Sequence, residues 1–175
     1  MLAVRYGGKE DTNWSDGLLI SILVRYPEIA TINFDPIEHV LKFAFISSQA
    51  LKTEQLSATA IEEKVLDSIE VFNLLEGRKV KMSAISYLDC DQLTIIEVQR
   101  DIDTLAQEEI SLIVQLIREF LGDNLVTETD EFVFEDDPVL QEEIIEYMLE
   151  GMKGAHGDRR LFAFREEGRV MVFNK

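Results

Sequence analysis

The sequence predicts an α+β protein with a mostly antiparallel sheet and helices packed on one face. Three observations carry this. Apolar residues recur first at helical and then at strand spacing along the chain. The strand-like runs come in pairs joined by short turns, the connection that antiparallel neighbours use. A helix followed by a hairpin appears three times, near residues 15–47, 54–100 and 137–174. Hairpins interleaved with helices bury one sheet face under a helical layer. The three units share a pattern but no residue-by-residue identity, which leaves a true duplication open.

The first unit opens on "NWSDGLLISILVRYP". Ser15 or Asp16 offers a cap, Leu18, Leu19, Ile22 and Leu23 make an apolar stripe, and Pro27 forbids continuation. Ile32 and Phe34 then alternate with polar neighbours, Asp35-Pro36 marks a turn, and Val40 to Ile46 reads as the returning strand. In the second unit Ile61, Val65, Ile69 and Phe72 give a helix with one buried face, and Gly77 stands ready as its C-terminal cap. The hairpin "KVKMSAISYLDCDQLTIIEVQR" is expected to turn at Asp89-Cys90-Asp91. Thr104 and Gln107 have the spacing of a capping box, ahead of an amphipathic helix carrying Ile110, Ile113, Val114, Ile117 and Phe120 and ending at Gly122.

"NLVTETDEFVFEDD" suits one or two short strands. Asp137 followed by Pro138 opens the next helix, with Leu140, Ile144, Tyr147 and Met148 expected inward. "RLFAFREEGRVMVFN" closes the chain as a hairpin with a three-residue loop, Glu166-Glu167-Gly168, which sets Arg165 opposite Arg169 on one face. The chain reads as one domain over residues 1–175, and a break near Asp101 to Thr104 allows two subdomains, 1–102 and 103–175. No Pro-, Ser- or Gly-rich linker marks it.

With 46% hydrophobic and 29% charged residues the chain has globular composition and is not generally disordered. Its one cysteine, Cys90, cannot form an internal disulfide. No apolar run reaches the length of a membrane span, and "MLAVRYGGKEDTNW" lacks a basic-then-apolar leader. The expectation is a cytoplasmic protein without membrane contact. A net charge of −17 disfavours a non-specific grip on nucleic acid, which depends on basic residues meeting phosphates. The charge is uneven. Asp101 to Glu150 holds sixteen acids against one base, Arg118, whereas Gly151 to Lys175 holds six bases against three acids.

That basic finish contains the first candidate site. In "GMKGAHGDRR" and the hairpin beyond it, Lys153, His156, Arg159, Arg160, Arg165 and Arg169 could bind an anion. The order of elements speaks against a phosphate cradle: the glycines follow a helix and so meet its negative end. Gly151 or Gly154 is better read as a left-handed helix cap, with Lys153 complementing the last carbonyls. The second candidate is an acidic partner face, Glu142, Glu146 and Glu150, spaced i, i+4, i+8 without an intervening lysine. The arginine row and this glutamate row are expected either to face each other, within the protomer or across a dimer contact, or to be merely solvated.

Other chemistry is thinly represented. "ETDEFVFEDD" has hard oxygen ligands but no calcium-loop pattern, and Phe132 and Phe134 alternate as in a strand. Cys90 sits between two aspartates, which disfavour its thiolate. His39 and His156 have no zinc-type spacing, and neither a dinucleotide fingerprint nor a nucleophile elbow occurs. No metal, cofactor or catalytic residue is assigned. The sequence thus points to a binding, regulatory or assembly protein whose partner is another protein, first of all a second copy in a homodimer. The alternative is a small-molecule or phosphate-binding enzyme using the basic loop and hairpin.

Overall fold

The computed structural model of the chain describes residues 14–49, 58–128, 137–154 and 159–174. The elements run α1 (Trp14–Arg25), β1 (Thr31–Asp35), β2 (Val40–Ser47), α2 (Ala58–Leu75), β3 (Ser83–Cys90) and β4 (Leu93–Asp101). A 3₁₀ turn (Ile102–Thr104), α3 (Gln107–Leu121), a second 3₁₀ turn (Gly122–Asn124), α4 (Pro138–Met152), β5 (Leu161–Glu166) and β6 (Arg169–Asn174) follow. The strands form one antiparallel sheet in the order β3-β4-β2-β1-β5-β6, and the helices pack against it. The expected α+β class and the three helix-then-hairpin units are both present. The first hairpin is central, and the other two pair on its flanks, β4 on β2 and β5 on β1.

Period-two patterning decides which face is covered. Ile32, Phe43, Val98 and Ala163 lie in one cross-strand row and are buried under the helices. The neighbouring row, Thr31, Glu97 and Phe164, is only partly covered. On that second face the rings of Phe162, Phe164 and Phe173 stack in sequence, 5.5 and 5.4 Å between centroids. The helices close the core with Leu18, Leu19, Ile22 and Leu23 from α1, Ile61, Val65 and Ile69 from α2, and Ile110, Ile113 and Ile117 from α3.

Five local expectations need correction. Helix α1 already includes Trp14, so Ser15 and Asp16 lie inside its first turn rather than before it. The second hairpin turns at Asp91 and Gln92, with Asp91 at φ 55°, and Cys90 is the exposed last residue of β3 opposite Leu93. Thr104 does not cap α3. It ends the 3₁₀ turn, where its amide is held by Asp101 Oδ2 at 2.9 Å, and the N-cap position of α3 falls to Ala106, which has no side-chain hydrogen bond.

The fourth correction concerns α4. Asp137 caps it as expected, accepting from the Val139 amide at 3.0 Å, but the buried residues are Ile145, Leu149 and Met152. Leu140, Ile144 and Tyr147 are 53%, 40% and 66% exposed, and Met148 is half-buried. The helix carries two apolar stripes, and tertiary packing uses the other one. The fifth is the last hairpin, whose loop is Glu167-Gly168, both at positive φ (52° and 75°). A two-residue loop of this kind matches strand twist. It pairs Glu166 with Arg169 and Arg165 with Val170, so the two arginines fall on opposite faces. Of the stretch "NLVTETDEFVFEDD", Leu125 bridges to Ser47 and the Val126 amide donates to Ile46 O; Phe132 and Phe134 lie outside the described residues.

Candidate functional site

The cations of the basic finish are distributed rather than gathered. Lys153 follows the last turn of α4, its amide donating to Leu149 O and its Nζ bonding Glu150 Oε1 at 2.8 Å. That bond lowers the Glu150 pKa. Gly154 takes the left-handed conformation (φ 75°) that ends such a helix, and its amide reaches Asp103 Oδ1 at 3.4 Å. Arg159 Nη2 stands 4.0 Å from Asp16, and Arg160 Nη2 is 3.3 Å from Asp35. His156 lies outside the described residues. Arg169 is exposed beside Glu166, whereas Arg165 is buried and donates to the carbonyls of Leu23, Tyr26 (2.7 Å) and Ile29. Arg165 thereby satisfies carbonyls at the end of α1 and in the loop after it, which helix geometry leaves open.

The glutamate row is likewise divided. Glu142 receives Nε and Nη2 of Arg25 at 3.3 and 3.1 Å and Nε2 of Gln107 at 3.3 Å. Glu146 accepts the backbone amide of Gln107 at 2.8 Å. A side chain of α4 thus caps the first turn of α3, the task that sequence reasoning gave to Thr104. An acid at that position also meets the positive end of the helix. Glu150 holds Lys153. The described partners of Glu142, Glu146 and Glu150 include Arg25, Gln107 and Lys153. Glu146 and Glu150 also meet each other, the charge of Arg78 acts on Glu150, and neither Arg165 nor Arg169 is among them.

Between the end of α2, the start of α3 and the flank of α4 lies a groove of about 360 Å³, lined by Glu76, Arg78, Glu108, Val139, Glu142, Glu143 and Glu146. Five carboxylates face one guanidinium. Arg78 Nε bonds the neutral Asn73 Oδ1 at 3.2 Å, which leaves its charge in place, and one cation offsets only part of five carboxylates. Asn73 in turn donates to Glu109 Oε1 at 2.6 Å, and Glu109 grips Arg100 through a bidentate pair, the Nη2 arm at 2.8 Å. Arg100 and Glu109 are wholly buried. Arg100 also bonds Asp101, the Met82 carbonyl and Thr104. This chain ties β4, α3 and α2 together and fixes the floor beside the groove. The groove opens next to the outer side of α4, where Leu140 and Ile144 are exposed, and near the end of α2, where Val71, Leu74 and Leu75 are 55%, 76% and 81% exposed.

A second hollow, of about 530 Å³, lies across the Arg25–Glu142 pair, between the end of α1 and the outer face of α3. Tyr26 stands in its wall, its hydroxyl hydrogen-bonded to Gln107 Oε1 at 2.9 Å and to Ser111. Burial pushes the Tyr26 hydroxyl pKa up.

Sequence reasoning missed Arg100, Glu109, Arg78 and Glu28. A signal for Arg100 exists: it continues the alternate row Ile96, Val98, so strand parity sends it inward. Arg165 continues Leu161, Ala163 in the same way. Among the described residues, no group of three His, Cys, Asp or Glu side chains could hold a metal ion, and no helix is long and apolar enough to cross a membrane. No protein-family model, curated protein or solved structure matches the chain.

Proposed function

We propose that the protein works by binding, and that the outer side of α4 with its glutamate-lined groove receives a basic, amphipathic segment of another protein. One observation carries this reading: Leu140 and Ile144, with Tyr147 beyond them, form an i, i+4, i+7 stripe on the exposed side of a helix whose charged residues are all glutamates. A stripe at that spacing is the usual seat for a helix laid in a groove. Fully burying a Leu or Ile side chain contributes roughly 1.5–3 kcal/mol, and the flanking carboxylates select the partner's charge. Arg25 already illustrates the chemistry, since its guanidinium lies along Glu142 from the opposite side.

A second copy docked through this same face is disfavoured. A symmetric contact would bring Glu142, Glu143, Glu146 and Glu150 of both copies together, and like charges at an interface oppose association. Self-association instead has support at β3, the outermost strand on one side of the described sheet. There Leu88 and Leu93, at the tip of the β3–β4 hairpin, are 58% and 42% exposed, and an edge strand offers its backbone to another strand. The enzyme reading has less support, because Lys153, Arg159 and Arg160 each stand beside a carboxylate of the protein.

A fluorescent helical peptide with leucines on one face and lysines on the other tests the docking surface. Binding is expected to weaken at least tenfold in Ile144→Asp, and in Glu143→Lys with Glu108→Lys. A scrambled peptide of the same charge that binds as well, or affinity indifferent to Ile144, would refute the reading. Light scattering on wild type and Leu88→Lys tests the edge contact, since a dimer should dissociate on the substitution.

A further inference from the structure

We infer that copies of this chain join head to tail, β3 of one copy pairing antiparallel with β6 of the next, so that one sheet continues through the assembly. This rests on the self-association proposed at β3 and names the strand that β3 meets. β3 and β6 are the outermost strands at the two ends of the described sheet. Both are thinly covered: no residue of β3 is buried, and in β6 only Val170 is. Leu88 on β3 and Phe173 on β6 are 58% and 49% exposed, and both lie on the sheet face away from the helices. The backbone geometry permits the joint. Along an antiparallel strand, alternate residues bond to opposite neighbours, so successive ladders bond through residues of opposite faces. Six strands make five ladders here, all antiparallel. The residues whose N–H and C=O groups point outward from β3 and from β6 therefore belong to the same face. Strand direction agrees, because β3 and β6 run opposite ways in a sheet of six alternating strands. A second copy added in the same orientation thus continues the ladder and keeps its helices on the same side.

Charge selects β3 as the partner of β6. Arg169 begins β6, and the rest of that strand is uncharged. β3 is uncharged until Asp89, and Asp91 follows in the turn. Antiparallel pairing sets the basic start of one strand beside the acidic end of the other, and opposite charges so placed favour the pair. Two β6 strands paired with each other would gain nothing of this kind. In the register that puts Leu88 opposite Met171, Ser86 faces Phe173, and Arg169 meets Cys90, which Asp89 and Asp91 flank in sequence. Tyr87 then lies opposite Val172 on the helix side. A symmetric β3–β3 contact would close at a dimer and leave β6 uncovered. The head-to-tail contact uses both ends of the sheet and stays open to growth.

Two lysine substitutions test this on the full chain, since a lysine blunts an edge strand: Leu88→Lys for β3 and Phe173→Lys for β6. Light scattering after gel filtration should show the wild-type mass rising past a dimer with concentration. Each variant alone should remain monomeric, and an equal mixture of the two should form a dimer, because each keeps the edge that the other lacks. Arg169→Glu should weaken assembly about tenfold, and adding Asp89→Lys and Asp91→Lys to it should recover most of the loss. Arg169 is exposed, so this variant keeps the test open if Phe173→Lys does not fold. A Phe173→Lys variant that dimerises by itself, or a wild type that stops at a dimer, would overturn the head-to-tail contact and leave β3 self-association standing. Two monomeric variants that do not combine would overturn it as well. A wild type that is monomeric at every concentration would overturn both.

Discussion

Arg100 and Arg165 are buried arginines on largely apolar strand faces, and most of the acceptors that hold them come from outside their own strands. Arg100→Met would strand Glu109 and Asp101 as buried carboxylates without their cation. Breaking one side of such a pair costs about 3–5 kcal/mol, whereas replacing both sides with apolar groups is often neutral. Urea unfolding should show that loss for Arg100→Met and recover much of it in Arg100→Met with Glu109→Leu. The last hairpin supplies a sharper contrast. Arg165→Ser removes donors from three carbonyls around the end of α1, a loss of roughly 3 kcal/mol at about 1 kcal/mol per bond. Arg169→Ser, exposed and opposite Glu166, should stay within about 0.5 kcal/mol. Equal effects of the two serines would show that both arginines share one face, as a three-residue loop would require. Parity along β4 and β5 carries a signal for both inward arginines, but sequence reasoning did not single out Arg100 and assigned Arg165 to a charged face shared with Arg169. Their partners were not legible, because Glu109 and the α1 carbonyls come from other elements and no local spacing encodes that meeting.

At the scale of elements, order and several ends were legible, whereas the starts of α1 and α3, the exact hairpin turns and the inward face of α4 were not. Asp137-Pro138, Gly77 and Gly154 act through local backbone geometry, which is why their roles follow from residue type alone. The inward face of α4 does not follow in this way. Both its stripes are apolar, and only the packing of α1 against it, with Met148 against Gly17 and Ser21, selects Ile145 and Leu149 for the core. The cap of α3 failed for a related reason, since Glu146 arrives from another helix. Glu146→Ala should therefore cost about 1 kcal/mol, as loss of an ordinary N-cap does, while Thr104→Ala should leave the first turn of α3 protected in amide exchange. Tyr87 joins β3 to the start of α2, its hydroxyl donating to Ala58 O at 2.5 Å. Burial, with Glu62 nearby, pushes its pKa up from 10.0 to about 12. Between these values the unfolded chain loses the proton while the folded one keeps it. The stability that this phenol contributes is thus complete below pH 10 and declines as pH rises to about 12. Tyr87→Phe should flatten that decline in pH-dependent unfolding without abolishing it, because Tyr26 is raised in the same direction.

The whole molecule carries a net charge of −17, most of it between Asp101 and Glu150. α3 and α4 come from that segment, and among the described residues the cations on α4 and at its acidic groove are few: Arg25 on Glu142, Arg78 in the groove lining, Lys153 on Glu150. Two electrostatic contributions compete here and respond to salt in opposite senses. The exposed pairs, each worth about 0–1 kcal/mol, weaken as ions screen them. The mutual repulsion of unpaired carboxylates weakens as well, and its relief stabilises the fold. The buried Arg100–Glu109 pair is screened much less and changes little with ionic strength. With twice as many acids as bases, 34 against 17, repulsion outweighs the exposed pairs. Melting temperature should therefore rise, by about 2–4 °C for each 1 kcal/mol gained, when NaCl is raised from about 0.01 to about 0.5 M and the Debye length shrinks from roughly 30 Å to a few ångströms. Glu143→Lys with Glu108→Lys should lift the low-salt value and shrink the rise. A fall with salt in the wild type would mean that the exposed pairs govern stability. The groove's carboxylates would then be structural groups already paired, leaving no negative surface for a basic partner.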